Sequence, residues 1–284
     1  MDRRVKNVKI FEDTMRRCRE NERLRESIRS SIEKQKIYME TDLLEQIEKE
    51  KHYENKAEVT VSKKRSFEAA SHYVGKKVCV HNFASATNPG GGVAHGSSAQ
   101  EECLCRCSTL YPALSEGNVV HQFYNRHRQL LRENQMTALY NDDCIYTPEI
   151  TVFKSDVDFP EILAEENWYE VDVLTMAAPN LREKPSNRMN PNSGERVIID
   201  EIELKELHKK RMCRLFEVAK RNRAEVLILG AFGCGAFCNP PKIVAEAMKE
   251  VVELYRYDFE TIEFAVYCSP RSEENYRTFC DVFG

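Results

Sequence analysis

Residues 88–102, NPGGGVAHGSSAQEE, set Gly90, Gly91 and Gly92 seven residues ahead of a glutamine and two adjacent carboxylates. Glycine loses more backbone freedom on folding than any other residue, so a triplet implies a need for its dihedrals or for close approach to the backbone. Glu101 and Glu102 are of the type that gives and takes protons at a reacting bond. If a helix opens near Ser98, both lie in its first turn, where the helix dipole favours their charged forms. Neighbours on a helix diverge by about 100°, so one can meet the reacting bond and the other an adjacent hydroxyl or the backbone. A plainer alternative is a charge pair behind Ser97 or Ser98 as N-cap, but that leaves the glycine triplet without a purpose.

A second glycine cluster, GAFGCGAF at 230–237, follows an apolar run and precedes Pro240 and Pro241. No Lys-Ser/Thr follows Gly235, which excludes a nucleoside-triphosphate loop, and Cys238 stands where the dinucleotide fingerprint needs its third glycine. What remains is a strand-to-helix turn rich in open N–H groups, suited either to a phosphate or simply to tight packing. The CLCRC run at 103–107 offers no C-x-x-C knuckle or His pair, so it reads as small buried side chains, and no metal is expected.

These residues need a scaffold. AEVTVS, KKVCVHNFA, YEVDVLTMAAPN, AEVLILGAF and TIEFAVYC read as strands. SFEAASHYV, AQEECLCRCSTLYPAL (ending near Pro112), residues 202–223, residues 240–255 and EENYRTFCDVF read as helices. This alternation predicts an α/β fold, a mixed or parallel sheet covered on both sides, with ligands at the carboxyl ends of its strands. Both glycine clusters fall there and could clasp a ribose or a diphosphate between them. Residues 115–168 are less regular, with strand or loop segments in CIYTPEITVFKSD, and 181–195 read as a polar loop. Residues 1–56 contain no Gly or Pro and carry a sparse apolar set: Val8, Phe11, Met15, Leu24, Ile28, Ile32, Ile37, Leu43, Leu44 and Ile47. They predict a layer of amphipathic helices, an accessory segment ahead of the α/β domain at 57–284.

A net charge of −4 gives no overall drive toward nucleic acid or an anionic membrane, and acids and bases are interspersed in the first 56 residues. A polyanionic ligand would need local backbone donors. Eleven cysteines at scattered spacings, with no apolar leader at the start, predict reduced thiols and a cytoplasmic setting.

Taken together, NFASATNPGGG, the spacer, AQEE and LCRCSTLYP resemble the microbial poly(ADP-ribose) glycohydrolases of the macrodomain fold. TPEITVFKSD, VLTMAAPN and LGAFGCGAFCN continue the likeness in the same order, over roughly residues 57–284. The resemblance implies a three-layer α/β/α macrodomain with no cofactor, poly(ADP-ribose) as substrate and ADP-ribose as product. It further implies that Glu102 is the acid/base, that Glu101 holds hydroxyls of the ribose whose bond is cut, and that Gln100 fixes the loop. Gly90, Gly91 and Gly92 would press on that distal ribose. Gly233, Cys234, Gly235 and Ala236 would offer N–H groups to the diphosphate, Phe237 would pack on the ribose, and Asn88, Ala178, Pro179 and Asn180 would line the cleft. Two other readings are a hydrolase acting on single ADP-ribose modifications of protein or nucleic acid, and a macrodomain that binds ADP-ribose without cutting it.

Overall fold

In the computed structural model, residues 2–42, 51–186, 191, 193–268 and 272–284 are described. The expected apolar positions Leu43, Leu44 and Ile47, and part of the 181–195 loop, lie outside them. The chain opens with α1 (Arg3–Glu20) and α2 (Glu22–Lys34). Asn21 serves both: its N–H bonds the Arg17 carbonyl at the end of α1, and its side chain accepts the Leu24 N–H at the start of α2. Then follow β1 (Lys36–Tyr38), β2 (Glu58–Ser62), α3 (Ser66–Ala70), β3 (Val78–Phe83), α4 (Gln100–Cys107) and α5 (Leu110–Leu114). Next come α6 (Gly117–Val119), a π-helical stretch (Val120–Asn125), α7 (Arg126–Arg132), β4 (Cys144–Val152) and β5 (Tyr169–Met176). The last elements are α8 (Glu201–Arg221), β6 (Val226–Leu229), α9 (Pro241–Tyr255), β7 (Thr261–Ala265) and α10 (Glu274–Phe283).

The strands form one seven-stranded sheet in the order β1-β4-β5-β3-β6-β7-β2. β5, β3, β6, β7 and β2 run parallel, while β4 is antiparallel to both β5 and β1. Side chains alternate across the pleat, so β3 feeds two cores. Val78 and Val80 pack with Phe67, Leu104, Leu110 and Phe123 on one face, and Cys79 packs with Met212, Phe216, Val244 and Met248 on the other. The result is the expected three-layer α/β/α arrangement. No helix of the described residues is long and apolar enough to cross a membrane.

Three departures from the sequence reading have local causes. The opening segment is more than a helical layer: β1 joins the sheet edge, pairing Lys36 with Tyr146 and Tyr38 with Cys144. Its three residues carry almost no periodic signal, and their pairing comes from a strand more than 100 residues away. The helix begun at Gln100 stops at Ser108, which turns extended, bridges to Val152 and bonds the Leu104 carbonyl with its hydroxyl at 2.8 Å. Pro112 then sits in the first turn of α5, where a missing N–H leaves no helix bond unmade. Finally, residues 117–132 are helical throughout, in a stretch read as irregular. A π-helical segment in the middle spoils the 3.6-residue period on which a helix is recognised.

Candidate active site

The turns leaving β3, β5, β6 and β7 wall a single cleft of about 870 Å³ at the carboxyl ends of these parallel strands. Glu101 and Glu102 line it as the second and third residues of α4, whose N-cap is Ala99 with no side-chain cap bond. Neither Ser97 nor Ser98 caps the helix. Gln100 instead locks the helix to the sheet. Its Nε2 donates to the His81 carbonyl at 2.7 Å and the Ser66 hydroxyl at 3.0 Å, while its Oε1 accepts the Phe83 N–H at 2.9 Å.

The two carboxyls converge although they are sequence neighbours. Gly91 is left-handed (φ +57), and a Cβ built on it would lie 2.7 Å from Glu102 Oε1 and 3.1 Å from Glu101 Oε2. Only a glycine fits between them. Glu101 is thoroughly held, with Oε2 accepting the Ser85 N–H at 2.7 Å, Oε1 within 3.4 Å of Asn82 Nδ2, and a further backbone bond from Gly90. Glu102 is held by one oxygen, Oε1 accepting the Gly92 N–H at 2.9 Å, while Oε2 is buried with no partner among the described residues. Burial pushes the Glu101 carboxyl well above the usual carboxylate range, and the Glu102 charge adds to this against the three donors. Burial also raises Glu102, opposed mainly by the Gly92 N–H. Two like charges this close cannot both be present cheaply, so each carboxylate disfavours the charge of the other. Glu101 is bonded as an acceptor at both oxygens, whereas Glu102 has one oxygen, Oε2, without a bond among the described residues.

The second glycine turn faces the pair across the cleft, with Gly233, Gly235, Ala236 and Phe237 in the wall. Gly233 is left-handed (φ +76), and a Cβ there would strike Asn239 Nδ2 at 2.5 Å and Ala178 Cβ at 2.7 Å. Gly235 and Ala236 are exposed, and no protein acceptor takes their N–H groups among the described residues. Cys238, also exposed, closes the turn in a left-handed conformation (φ +60) by bonding the Gly235 carbonyl.

Gly91, Gly92, Gln100, Ala178, Gly233, Gly235, Ala236 and Phe237 thus stand in the wall of the cleft, and five of the other named residues do not. The Cys234 N–H is spent on the Ala231 carbonyl, and its side chain packs into the core, so it offers no donor to the cleft. Gly90 (φ +64) backs onto the Tyr111 ring. Asn88 makes the turn, its N–H bonding Ser85 Oγ and its carbonyl accepting the Gly91 N–H. Pro179 and Asn180 are buried; the Pro179 carbonyl accepts from Asn239, and Asn180 bonds Tyr140 and Arg182. These residues shape the wall from behind.

The cleft also includes side chains the sequence did not single out. Tyr140 is left-handed (φ +58), and its hydroxyl donates to the Ser193 carbonyl at 3.1 Å. Arg182 lies 5.5 Å over the Phe237 ring, and its place two residues after Asn180 was the one available signal. At the far end Arg65 lies 3.8 Å over Tyr267 and is ion-paired to Asp158, joined there by Arg3. The first helix is therefore part of the site. Arg3 and Arg4 line the cleft, Asn7 donates to the Gly96 carbonyl at 3.0 Å, and Thr14 to the Arg106 carbonyl at 2.6 Å. Cys103, Cys105 and Cys107 are buried thiols, their pKa raised by burial.

A three-layer α/β/α fold with a buried carboxyl pair and an N–H-rich turn in one cleft defines a macrodomain-like protein equipped for acid–base chemistry. The model of the microbial-type PARG catalytic domain, PARG being poly(ADP-ribose) glycohydrolase, matches residues 6–155, and the chain belongs to that family. The match reaches back into the first helix, further than the motifs alone suggested. Among curated proteins, none matches the chain by sequence. Solved structures do. A poly(ADP-ribose) glycohydrolase from Thermomonospora curvata is 26% identical, with a TM-score of 0.81 over 98% of this chain and 99% of that one. The same protein bound to the inhibitor ADP-HPD superposes with a TM-score of 0.78 at 26% identity, over 97% and 98% of the two chains. The glycohydrolase from Deinococcus radiodurans in complex with ADP-ribose is 27% identical, with a TM-score of 0.73 over 90% and 96%.

Proposed function

We propose that this protein is a poly(ADP-ribose) glycohydrolase that cleaves the ribose–ribose O-glycosidic bond and releases ADP-ribose. The observation that carries this reading is Glu102 Oε2, a buried carboxyl oxygen with no protein partner, in the same cleft as the open N–H groups of Gly235 and Ala236. A module that only binds has no use for an unbonded acid at that point.

Cleaving an acetal passes through an oxocarbenium-like state, and the leaving hydroxyl must gain a proton. Glu102 gives that proton from Oε2 as the C–O bond breaks. Its carboxylate then takes a proton from the water that adds to the same carbon, so the group ends as it began. Glu101, fixed by the Ser85 and Gly90 N–H groups and Asn82, keeps lone pairs for the hydroxyls of the distal ribose. Gly91 and Gly92 let the sugar approach the backbone. Gly233, Gly235 and Ala236 receive the diphosphate, whose charge lies near the developing cation, and Phe237 covers the ribose. Acid–base help of this kind supplies roughly 10² to 10⁴ in rate, and holding the substrate supplies much of the rest. Eleven thiols without a disulfide suit a reducing, cytoplasmic setting.

The test is to incubate the protein with poly(ADP-ribose) and, separately, with a mono-ADP-ribosylated protein, and to measure free ADP-ribose. Release from the polymer supports the proposal. Release from the single modification alone would assign the site to the mono-hydrolase reading, and tight ADP-ribose binding without release from either would make it a reader.

A further inference from the structure

Asn239 lies directly behind the second glycine turn, 2% exposed and outside the cleft wall. Its amide Nδ2 reaches the carbonyls of Pro179 at 2.7 Å, Gly233 at 3.1 Å and Phe237 at 3.4 Å, and its own N–H bonds Gly233 at 3.0 Å. One side chain thus ties both ends of residues 233–237 to the turn leaving β5. Gly233 has no side chain because this amide occupies the place, 2.5 Å from where a Cβ would be. The orientation of the amide is itself fixed. Its Oδ1 lies 2.9 Å from His208 Nε2 on α8, and with Nδ2 committed to carbonyls, His208 must present Nε2–H. His208 is fully buried, and its Nδ1 is unpartnered.

We propose that Asn239, oriented by the Nε2–H of His208, is the positioning residue that holds residues 233–237 in the conformation that receives the diphosphate. This rests on the ADP-ribose reading above. Burial lowers His208 to about 4, with Arg211 adding to the effect, so the ring stays neutral and the donor stays in place at physiological pH. Arg211 is committed elsewhere, to Asp142 and to the Ala177 and Leu139 carbonyls, so it does not compete for Asn239. An aspartate at 239 keeps size and shape but turns an acceptor toward three carbonyls. That reversal of polarity, rather than a void, is the informative perturbation.

The experiment compares Asn239→Asp, His208→Gln and His208→Phe with the wild type. Amide hydrogen exchange of 231–238 is measured without ligand, and ADP-ribose affinity by titration calorimetry. Asn239→Asp and His208→Phe are expected to speed exchange in that segment and weaken ADP-ribose binding by on the order of tenfold to a hundredfold, as loss of buried hydrogen bonds does. His208→Gln, which can still donate to Asn239, is expected to stay within a few-fold of wild type on both measures, a rescue that a merely structural role would not produce. Unchanged exchange, or faster exchange with unchanged affinity, in folded Asn239→Asp would overturn the proposal. Should Asn239→Asp not fold, the contrast between the two His208 variants decides, and equal behaviour of those two refutes it. A wild-type protein that does not bind ADP-ribose would sink the functional reading instead, while the exchange comparison still judges the tether.

Discussion

Replacing Glu102 by glutamine removes the proton and little else. The new side chain keeps an oxygen for the Gly92 N–H, now 2.9 Å from Oε1, and puts an amide nitrogen where Oε2 has no partner, so the cleft keeps its shape. The loss should fall on turnover, by about 10² to 10⁴, or roughly 3–5 kcal/mol in the barrier. ADP-ribose affinity should change by no more than about threefold, less than 1 kcal/mol. Stability should differ in its pH dependence. Burial raises the Glu102 pKa, so the carboxyl favours the fold below its unfolded value of about 4.5, and that contribution is lost as pH rises through the folded pKa. The amide does not ionise, so the fall in stability between pH 5 and pH 8 should be shallower in Glu102→Gln than in the wild type. The assays are chromatography of released ADP-ribose under single-turnover conditions, calorimetric titration and thermal melts across pH 5–8. Wild-type turnover in this variant would refute the assignment of the acid, and loss of ADP-ribose binding would show that Glu102 holds the ligand rather than breaks it.

Other expectations follow from the same geometry. Gly91→Ala places a methyl between both carboxyls at a left-handed position; turnover should fall at least 100-fold and stability by about 1–3 kcal/mol, read by the same assay and by urea unfolding. Gly96→Ala, also left-handed (φ +76), drives a methyl into the Arg4 carbonyl and should lift the start of α1, lowering both the melting temperature and activity. Burial depresses His81 to about 3 and His208 to about 4, against an unfolded value of 6.5. Their contribution to stability is therefore complete above pH 6.5 and lost as pH falls toward those values, roughly 2–3 kcal/mol each by pH 4.5. Denaturant midpoints at pH 7 and 4.5 check this, and His81→Leu should flatten the slope.

Much of this was legible because it is local. A strand ending in glycines and followed by a helix announces itself within about fifteen residues, and two such junctions pointed to the carboxyl edge of the sheet and to the carboxyl pair. What was missed is what distant residues decide. β1 exists because Cys144, Ile145 and Tyr146 present an open edge to Ile37, and no three-residue pattern could carry that. Ser108 leaves the helix because β4 competes for its backbone. Asn88, Pro179, Asn180 and Cys234 belong to the right turns, but spacing does not tell a residue that faces a ligand from one that faces the scaffold. Tyr140 and Arg65 reach the cleft from segments whose sequence shows neither period nor motif.

The exposed thiol closing the second turn offers a practical handle. Of the eleven cysteines, Cys238 alone is exposed, and burial raises the pKa of Cys103, Cys105, Cys107 and several others, which slows their attack on alkylating reagents. A maleimide dye would therefore meet the residue next to Phe237 ahead of the buried thiols. Fluorescence from that position would report occupancy of the cleft in real time, with the native sequence itself supplying the point of attachment.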